Sequence, residues 1–342
     1  MTGTNDTDRP TDEAPAIDVE DLTFRYADGT TAVDDITFSI PEGEFFGFLG
    51  PNGAGKTTTI KILATLLEPT TGTVRVNGYD ATEQRTAVRG SIGYMAQAVS
   101  VDEELTAREN LRFACEAYGV PSEHRDDRID ELLALADLAD VADRPAEQFS
   151  GGMKKRLDAA TALVHDPELV FLDEPTTGLD PKARNRLWDY FRRINDQGTT
   201  VFLTTQYLEE ADSLCDRLSV IKDGELVEDG SPESLKRRVG GQVLRVDLAG
   251  DESSVTAAAD VARDCDVLDA DSTVECGSGS VRVTTQRANE VGTELLVELR
   301  DAGHTVTGFD IEEATLDDVF LAIADEDVAD LDADAEPAEA SR

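Results

Sequence analysis

Continuous apolar runs that end in glycine, an acid or a polar side chain recur through the first two thirds of the chain: "EFFGFLG" (44–50), "SIGYMAQ" (91–97), "LVFLDEP" (169–175) and "TVFLTT" (200–205). Runs of this kind fit strands buried on both faces, and they alternate with helical stretches, which predicts an α/β sheet of parallel strands. "RLSVIKDGELVEDG" (217–230) reads as a hairpin turning at Asp223-Gly224. Residues 98–149 show helical pattern and no strand, and predict a helical insertion.

After about residue 240 the pattern changes. "QVLRVDLAG", a polar-alanine helix near 253–264, "STVECG", "SVRVTTQ", a helix near 287–301 and "HTVTGFDI" spell β-α-β-β-α-β. That order predicts a small α+β, ferredoxin-like domain over 240–324, closed by the amphipathic "TLDDVFLAIA". The remaining residues, 1–15 and 325–342, are polar, small and acidic, and are expected to be disordered tails around a main domain of 16–238.

Charge bears on partners. Asp and Glu number 72 against 31 Lys and Arg, a formal charge of −41, and such a surface repels phosphodiesters and excludes a nucleic-acid partner. The apolar share of 40% excludes a disordered polyanion. The balance reads as adaptation to a cytoplasm near saturating salt, the haloarchaeal condition, with an ordinary acidic protein as the alternative. No run of about 18 apolar residues occurs, and the N-terminus lacks both a basic patch and an apolar segment. The chain is therefore expected to be cytosolic, with any membrane role supplied by a partner. Cys115, Cys215, Cys265 and Cys276 have no metal or redox spacing and are expected to be reduced core fillers.

The chemistry begins at "GPNGAGKTTTIKIL". Directly after an apolar strand and opening a helix, Gly50, Pro51, Asn52, Gly53, Ala54, Gly55, Lys56, Thr57 and Thr58 form a P-loop. Its glycines let backbone N–H groups turn toward phosphate oxygens, and the helix N-terminus adds partial positive charge. Lys56 is expected at the β- and γ-phosphates of ATP and the Thr57 hydroxyl on Mg²⁺. In "LVFLDEP", Asp173 emerges at a strand's carboxyl end to hold Mg²⁺ through water, and Glu174 beside it can polarise an attacking water, or else is a solvated loop carboxylate.

Those two motifs leave kinases, GTPases and helicases open. "FSGGMKKRL", with Ser150, Gly151 and Gly152 about 20 residues before the acidic strand, resembles the signature motif of the ABC ATPases. The resemblance covers about residues 16–236 and implies an ABC ATPase cassette, a P-loop NTPase fold with a helical subdomain. It further implies that the signature acts in trans on nucleotide held by a second subunit. By the same resemblance Tyr26 stacks on adenine, with a core or edge aromatic as the alternative, Gln97 touches Mg²⁺ and water, and Asp180 of "TGLDP" crosses a dimer interface. His124, His165 and His304 match no landmark and are read as structural or surface residues.

Most ABC ATPases place a histidine after the last apolar strand, where this chain has Gln206. An amide can donate to a phosphate oxygen and accept from water but carries no charge, which leaves base catalysis to Glu174; alternatively Gln206 only caps local backbone. "LTTQYLEEAD" together with "EEATLDDVFLAIAD" resembles the ATP-binding subunits of daunorubicin-resistance-type exporters. That resemblance implies an ATPase homodimer at the cytoplasmic face of the membrane. It would bind two ATP–Mg²⁺ and drive a separate integral permease of ABC-2 type for efflux of drugs, lipids or similar cargo. An importer ATPase and a soluble regulatory ABC ATPase are the rival readings.

Overall fold

The computed structural model describes residues 15–238, 242–265, 267–269, 272–285, 287–313 and 315–320. Both expected tails, apart from Pro15, lie outside the described residues. The chain divides into two compact units, Met1–Gly230 and Ser231–Arg342. The division precedes the 232–238 helix, whereas the sequence pattern places the boundary after it. Ser231 Oγ accepts from Ser234 N at 3.2 Å at the start of that helix.

In the first unit β1 (Ile17–Arg25), β2 (Thr31–Ile40), β4 (Thr71–Val76) and β5 (Tyr79–Asp80) form an antiparallel sheet of order β2-β1-β4-β5. This sheet was not anticipated. Its strands alternate, with Ile17, Val19, Leu22 and Phe24 buried between polar positions, so they carry no continuous apolar run.

The second sheet joins β3 (Phe45–Leu49), β6 (Ile92–Met95), β7 (Leu169–Asp173), β8 (Thr200–Thr205), β9 (Arg217–Lys222) and β10 (Glu225–Gly230) in the order β10-β9-β3-β8-β7-β6. All neighbours pair parallel except β9 with β10, whose hairpin turns at Asp223 (φ 50°) and Gly224 (φ 91°). The two sheets share one core. The Phe202 ring lies 5.5 Å from both Phe46 and Phe48 and 5.6 Å from Phe171, and Phe38 of the antiparallel sheet reaches Phe48 at 5.7 Å. Each such side chain contributes about 1.5–3 kcal/mol by burial. Parallel pairing brings the carboxyl ends of β3, β6, β7 and β8 to one edge, where an α/β sheet places its ligands.

The helices of this unit are α1 (Lys56–Leu63), α2 (Arg85–Ser91), α3 (Ala107–Ala117), α4 (Arg125–Leu135), α5 (Gly151–Thr161), α6 (Pro181–Asn195) and α7 (Leu208–Leu214). The helical insertion is α3 and α4. A capping box of Thr106 and Glu109 starts α3, and Leu111, Cys115, Ile129, Leu132 and Leu133 are buried where the pair packs with α5.

The second unit opens with α8 (Pro232–Arg238) and continues β11 (Gln242–Ala249), α9 (Glu252–Arg263), β12 (Thr273–Cys276), β13 (Ser280–Thr285), α10 (Ala288–Asp301) and β14 (Thr305–Glu313). Its antiparallel sheet has the order β12-β13-β11-β14, the ferredoxin-like arrangement. Leu244, Val246, Val281 and Val283 form a core with Ala258, Ala259 and Ala262 of α9 and with Leu295 and Leu299 of α10.

All four cysteines are free, but only Cys115 and Cys215 are buried; Cys276 is exposed on the edge strand β12 and Cys265 is half-buried, which corrects their reading as core fillers. Among the described residues no helix is long and apolar enough to cross a membrane.

Candidate active site

The loop between β3 and α1 is held against two other strands by glycines. A Cβ on Gly50 would sit 2.2 Å from Ile221 O, and one on Gly55 (φ 111°) 2.3 Å from Ala32 O, so no larger residue fits either place. The β9–β10 turn props the loop, with Gly224 N donating to Ala54 O at 3.2 Å and Asp34 N to Gly224 O at 2.9 Å. Lys56 heads α1 and is buried. Its Nζ donates to Gly50 O at 2.7 Å and Pro51 O at 3.0 Å and lies 3.8 Å from Glu174 Oε1. Burial pulls Lys56 below the usual lysine range, and the Glu174 and Asp173 carboxylates offset part of that fall.

Asp173 ends β7 with its Oδ1 accepting from Thr57 Oγ1 at 3.2 Å and from Thr204 Oγ1 of β8 at 2.7 Å. Glu174 follows in the left-handed region (φ 46°), a conformation costing a non-glycine residue about 1–2 kcal/mol. Thr204 pins that turn, since Glu174 N donates to Thr204 O at 3.0 Å. The buried carboxyl then accepts from Gln97 Nε2 at 3.1 Å. A cavity of about 370 Å³ is lined by Tyr26, Asn52, Gly53, Gly55, Lys56, Thr57, Thr58, Gln97 and Glu174 among others. Tyr26 is 41% exposed, and its OH lies 3.0 Å from Thr58 Oγ1.

Ser150, Gly151, Gly152 and Asp180 gather elsewhere and do not line that cavity. Ser150 caps α5 by accepting from Met153 N at 3.3 Å, and Asp180 caps α6 by accepting from Ala183 N at 2.9 Å. The two helix starts are in close contact, because a Cβ on Gly152 would meet Ala183 Cβ at 2.8 Å. Ser150, Gly151 and Asp180 are exposed.

Gln206 is exposed at the end of β8, and among the described residues its amide makes no hydrogen bond. Next to it Thr205 Oγ1 accepts from Tyr207 N at 2.9 Å. His124 and His165 do not line the cavity. His165 Nε2 bonds Ile92 O at 3.0 Å and its ring stacks on Tyr118 at 3.9 Å.

Known proteins resemble this chain in sequence and fold. The family described as ABC transporter matches residues 33–177, and that described as ATP-binding protein DrrA1-3-like, C-terminal domain, matches 230–324. The daunorubicin/doxorubicin resistance ATP-binding protein DrrA of Streptomyces peucetius is 43% identical over 311 residues, 90% of this chain and 92% of that protein. The chain is an ABC transporter ATP-binding protein of the daunorubicin/doxorubicin resistance type. The linearmycin resistance ATP-binding protein LnrL of Bacillus subtilis is 35% identical over 293 residues, 85% of this chain and 93% of its own. Nod factor export ATP-binding protein I of Sinorhizobium fredii is 42% identical over 232 residues, 68% of this chain and 67% of that protein. A solved ATP-binding subunit of an ABC transporter superposes with a TM-score of 0.59 at 32% identity, over 66% of this chain and 93% of that one. A dimeric ATP-binding cassette in a post-hydrolysis state with ADP and phosphate superposes with a TM-score of 0.57 at 28% identity, over 63% and 98%. This exporter ATPase thus hydrolyses ATP, as its family does.

Several residues that support the candidate site from around it were not foreseen. Thr204 ties Asp173 and the Glu174 turn together. Glu210 of α7, fully buried, accepts from Trp188 Nε1 at 2.9 Å and Thr176 Oγ1 at 3.2 Å, linking the loop after Glu174 to α6 and α7. Lys155 and Asp158 of α5 are buried charges on the signature helix. An acid in the first turn after an apolar strand was the signal available for Glu210.

Proposed function

We propose that this ATPase works as one half of a homodimer that closes around two ATP–Mg²⁺ at the cytoplasmic face of the membrane and drives an ABC-2-type permease. The observation that carries the reading is the separation of two half-sites. Lys56, Thr57, Gln97 and Glu174 line one cavity, whereas Ser150, Gly151 and Asp180 stand exposed outside it, so a second copy has to bring its signature to this copy's nucleotide.

Within the site, Tyr26 offers its ring to adenine, and the amides of Gly53–Thr58 with the α1 N-terminus bind phosphate oxygens. Lys56 opposes the charge that develops as the γ-phosphate leaves. Glu174 accepts the proton of the attacking water while Gln97, hydrogen-bonded to it, and Gln206 orient that water. The all-oxygen donors of Thr57, Asp173 and Gln97 suit a hard divalent cation, and Mg²⁺ held there would neutralise phosphate charge. A groove of about 570 Å³ lined by Tyr118, Val120 and Pro121 of the helical insertion, Gly90 of α2 and Val164 and His165 before β7 supports a seat for a cytoplasmic helix of the permease.

Vesicles containing a candidate permease of ABC-2 type test the reading. The ATPase is expected to sediment with them and to turn over ATP only with Mg²⁺; a chain left in the supernatant overturns the permease assignment. The excess of acids supports a haloarchaeal origin, for which loss of circular dichroism between molar and about 0.1 M salt is expected; equal folding at both salts refutes it.

A further inference from the structure

The segment Gln97-Ala98-Val99-Ser100 leaves β6 on the surface, and all four residues are exposed. Polar ties from one helix hold it. Lys155 Nζ of α5 donates to Gln97 O at 2.8 Å, and Asp158 Oδ1 accepts from Ser100 N at 3.1 Å and from Ser100 Oγ. Lys155 and Asp158 stand three residues apart on one face of α5, so a single rigid element grips both ends of the segment.

These two grips are expensive ones. Lys155 is 6% exposed and Asp158 2% exposed, and Asp158 Oδ2 is buried with no hydrogen-bond partner among the described residues. Burial pushes the Lys155 ammonium down and the Asp158 carboxyl up, each charge only partly relieved by the other. A helix that merely packed would hold apolar side chains here, since replacing buried ions by apolar groups of like volume is neutral or stabilising. The helix they sit on begins at the signature residues Gly151 and Gly152, and the segment they hold begins at the residue whose amide reaches Glu174.

We propose that Lys155 and Asp158 are positioning residues that strap the Gln97 segment to the signature helix, so that the register of Gln97 against Glu174 follows any displacement of α5. The inference rests on the proposed roles of Gln97 and Glu174 at the attacking water. In the closed dimer the strap ties the water-positioning amide of one site to the helix that caps the other, and gives the two sites a mechanical connection within each subunit.

Hydrogen exchange reads the strap and turnover reads its consequence. Lys155→Met removes the donor to Gln97 O, and Ser100→Pro, at an exposed position that keeps both buried side chains, removes the N–H and the hydroxyl from which Asp158 accepts. Both variants are expected to raise exchange across residues 97–101 and to lower kcat about ten- to a hundredfold, with nucleotide affinity within twofold of the parent. Adding Lys155→Met to Gln97→Ala is expected to lower kcat no further. Unchanged exchange in both single variants overturns the strap, as does raised exchange with parental kcat or a loss that simply adds to that of Gln97→Ala. A Gln97→Ala protein as active as the parent instead overturns the reading of Gln97, and with it the consequence for turnover, while the exchange result still judges the strap.

Discussion

In the first unit Lys56, Lys155, Asp158, Asp173, Glu174 and Glu210 are all buried, whereas among the described residues of the second unit the buried polar side chains are Ser280 and Thr285. Moving a charge out of water costs several kcal/mol even after relaxation. In the first unit Lys56, Asp173 and Glu174 gather at a phosphate loop and an acidic strand end, while Lys155, Arg156, Asp158 and Glu210 are buried elsewhere in it. Among its described residues the second has none, and its core is built from alanines, valines and leucines on a regular sheet. Fold regularity and chemistry are thus divided between the units, and substitutions in each can break that division.

The largest effect is expected at Glu174. Glu174→Gln keeps the hydrogen-bonding shape but removes the base, so steady-state ATP hydrolysis should be abolished while ATP binding persists and a dimer accumulates. Size-exclusion chromatography with ATP reads both outcomes; an active, monomeric variant refutes the assignment of the base.

Next comes a change confined to the second unit. Leu295 of α10 is fully buried, and Leu295→Ala removes its packing against the sheet, a loss of about 2–5 kcal/mol. The second unit should melt earlier while nucleotide affinity stays at the parental value. If affinity vanished with the first unit still folded, the division of labour would be wrong.

Gln206→Ala is a smaller perturbation of the first unit. Since Gln206 has no hydrogen bond within the described residues, its removal deprives only nucleotide and water. A hydrogen bond to a charged group contributes about 1.5–3 kcal/mol, which predicts a ten- to hundredfold fall in rate. Gln206→His should restore the rate and add a pH-dependent limb near the imidazole pKa of about 6.5 that the natural protein lacks. An alanine variant as fast as the parent would leave water positioning to Glu174 and Gln97 alone.

Legibility in the sequence followed the same division. The P-loop, Asp173-Glu174 and Ser150–Gly152 are contiguous motifs, so composition and order reveal them. The four continuous apolar runs also revealed the parallel strands, because burial on both faces leaves no polar interruption. Thr204 was not legible, since its role depends on lying beside Asp173 across two strands 31 positions apart in the chain. Lys155 and Asp158 carried no signal in the sequence, because their contacts depend on the tertiary fold setting α5 against residues 97–100. The antiparallel sheet of β1, β2, β4 and β5 escaped because alternation with acids at Asp18, Glu20 and Asp21 reads as surface.

Glu210 gives the smallest effect and the sharpest trial of the comparison, because it is buried in the first unit yet does not line the cavity. Burial raises its carboxyl above the usual range, with the hydrogen bonds from Thr205, Trp188 and Thr176 and the charge of Arg184 offsetting only part of the rise. A raised folded-state pKa means that the native state prefers the protonated form. The contribution of Glu210 to stability is then fully present below the unfolded value of about 4.3 and is lost as pH rises through the folded one. Glu210→Gln is neutral at every pH; its oxygen can accept from Trp188 Nε1, and its NH₂ can donate to Thr176 Oγ1 once that hydroxyl rotates. The variant should therefore melt above the parent at pH 8, with the gap narrowing as pH falls toward the unfolded value of about 4.3. Thermal scans at fixed high salt across that range provide the measurement. Should Glu210→Gln melt higher and also hydrolyse ATP at the parental rate, buried charge in this unit would not by itself mark chemistry. A variant that melts lower at every pH would instead show that the carboxylate, balanced by Arg184 of α6, holds the loop after Glu174 against α7.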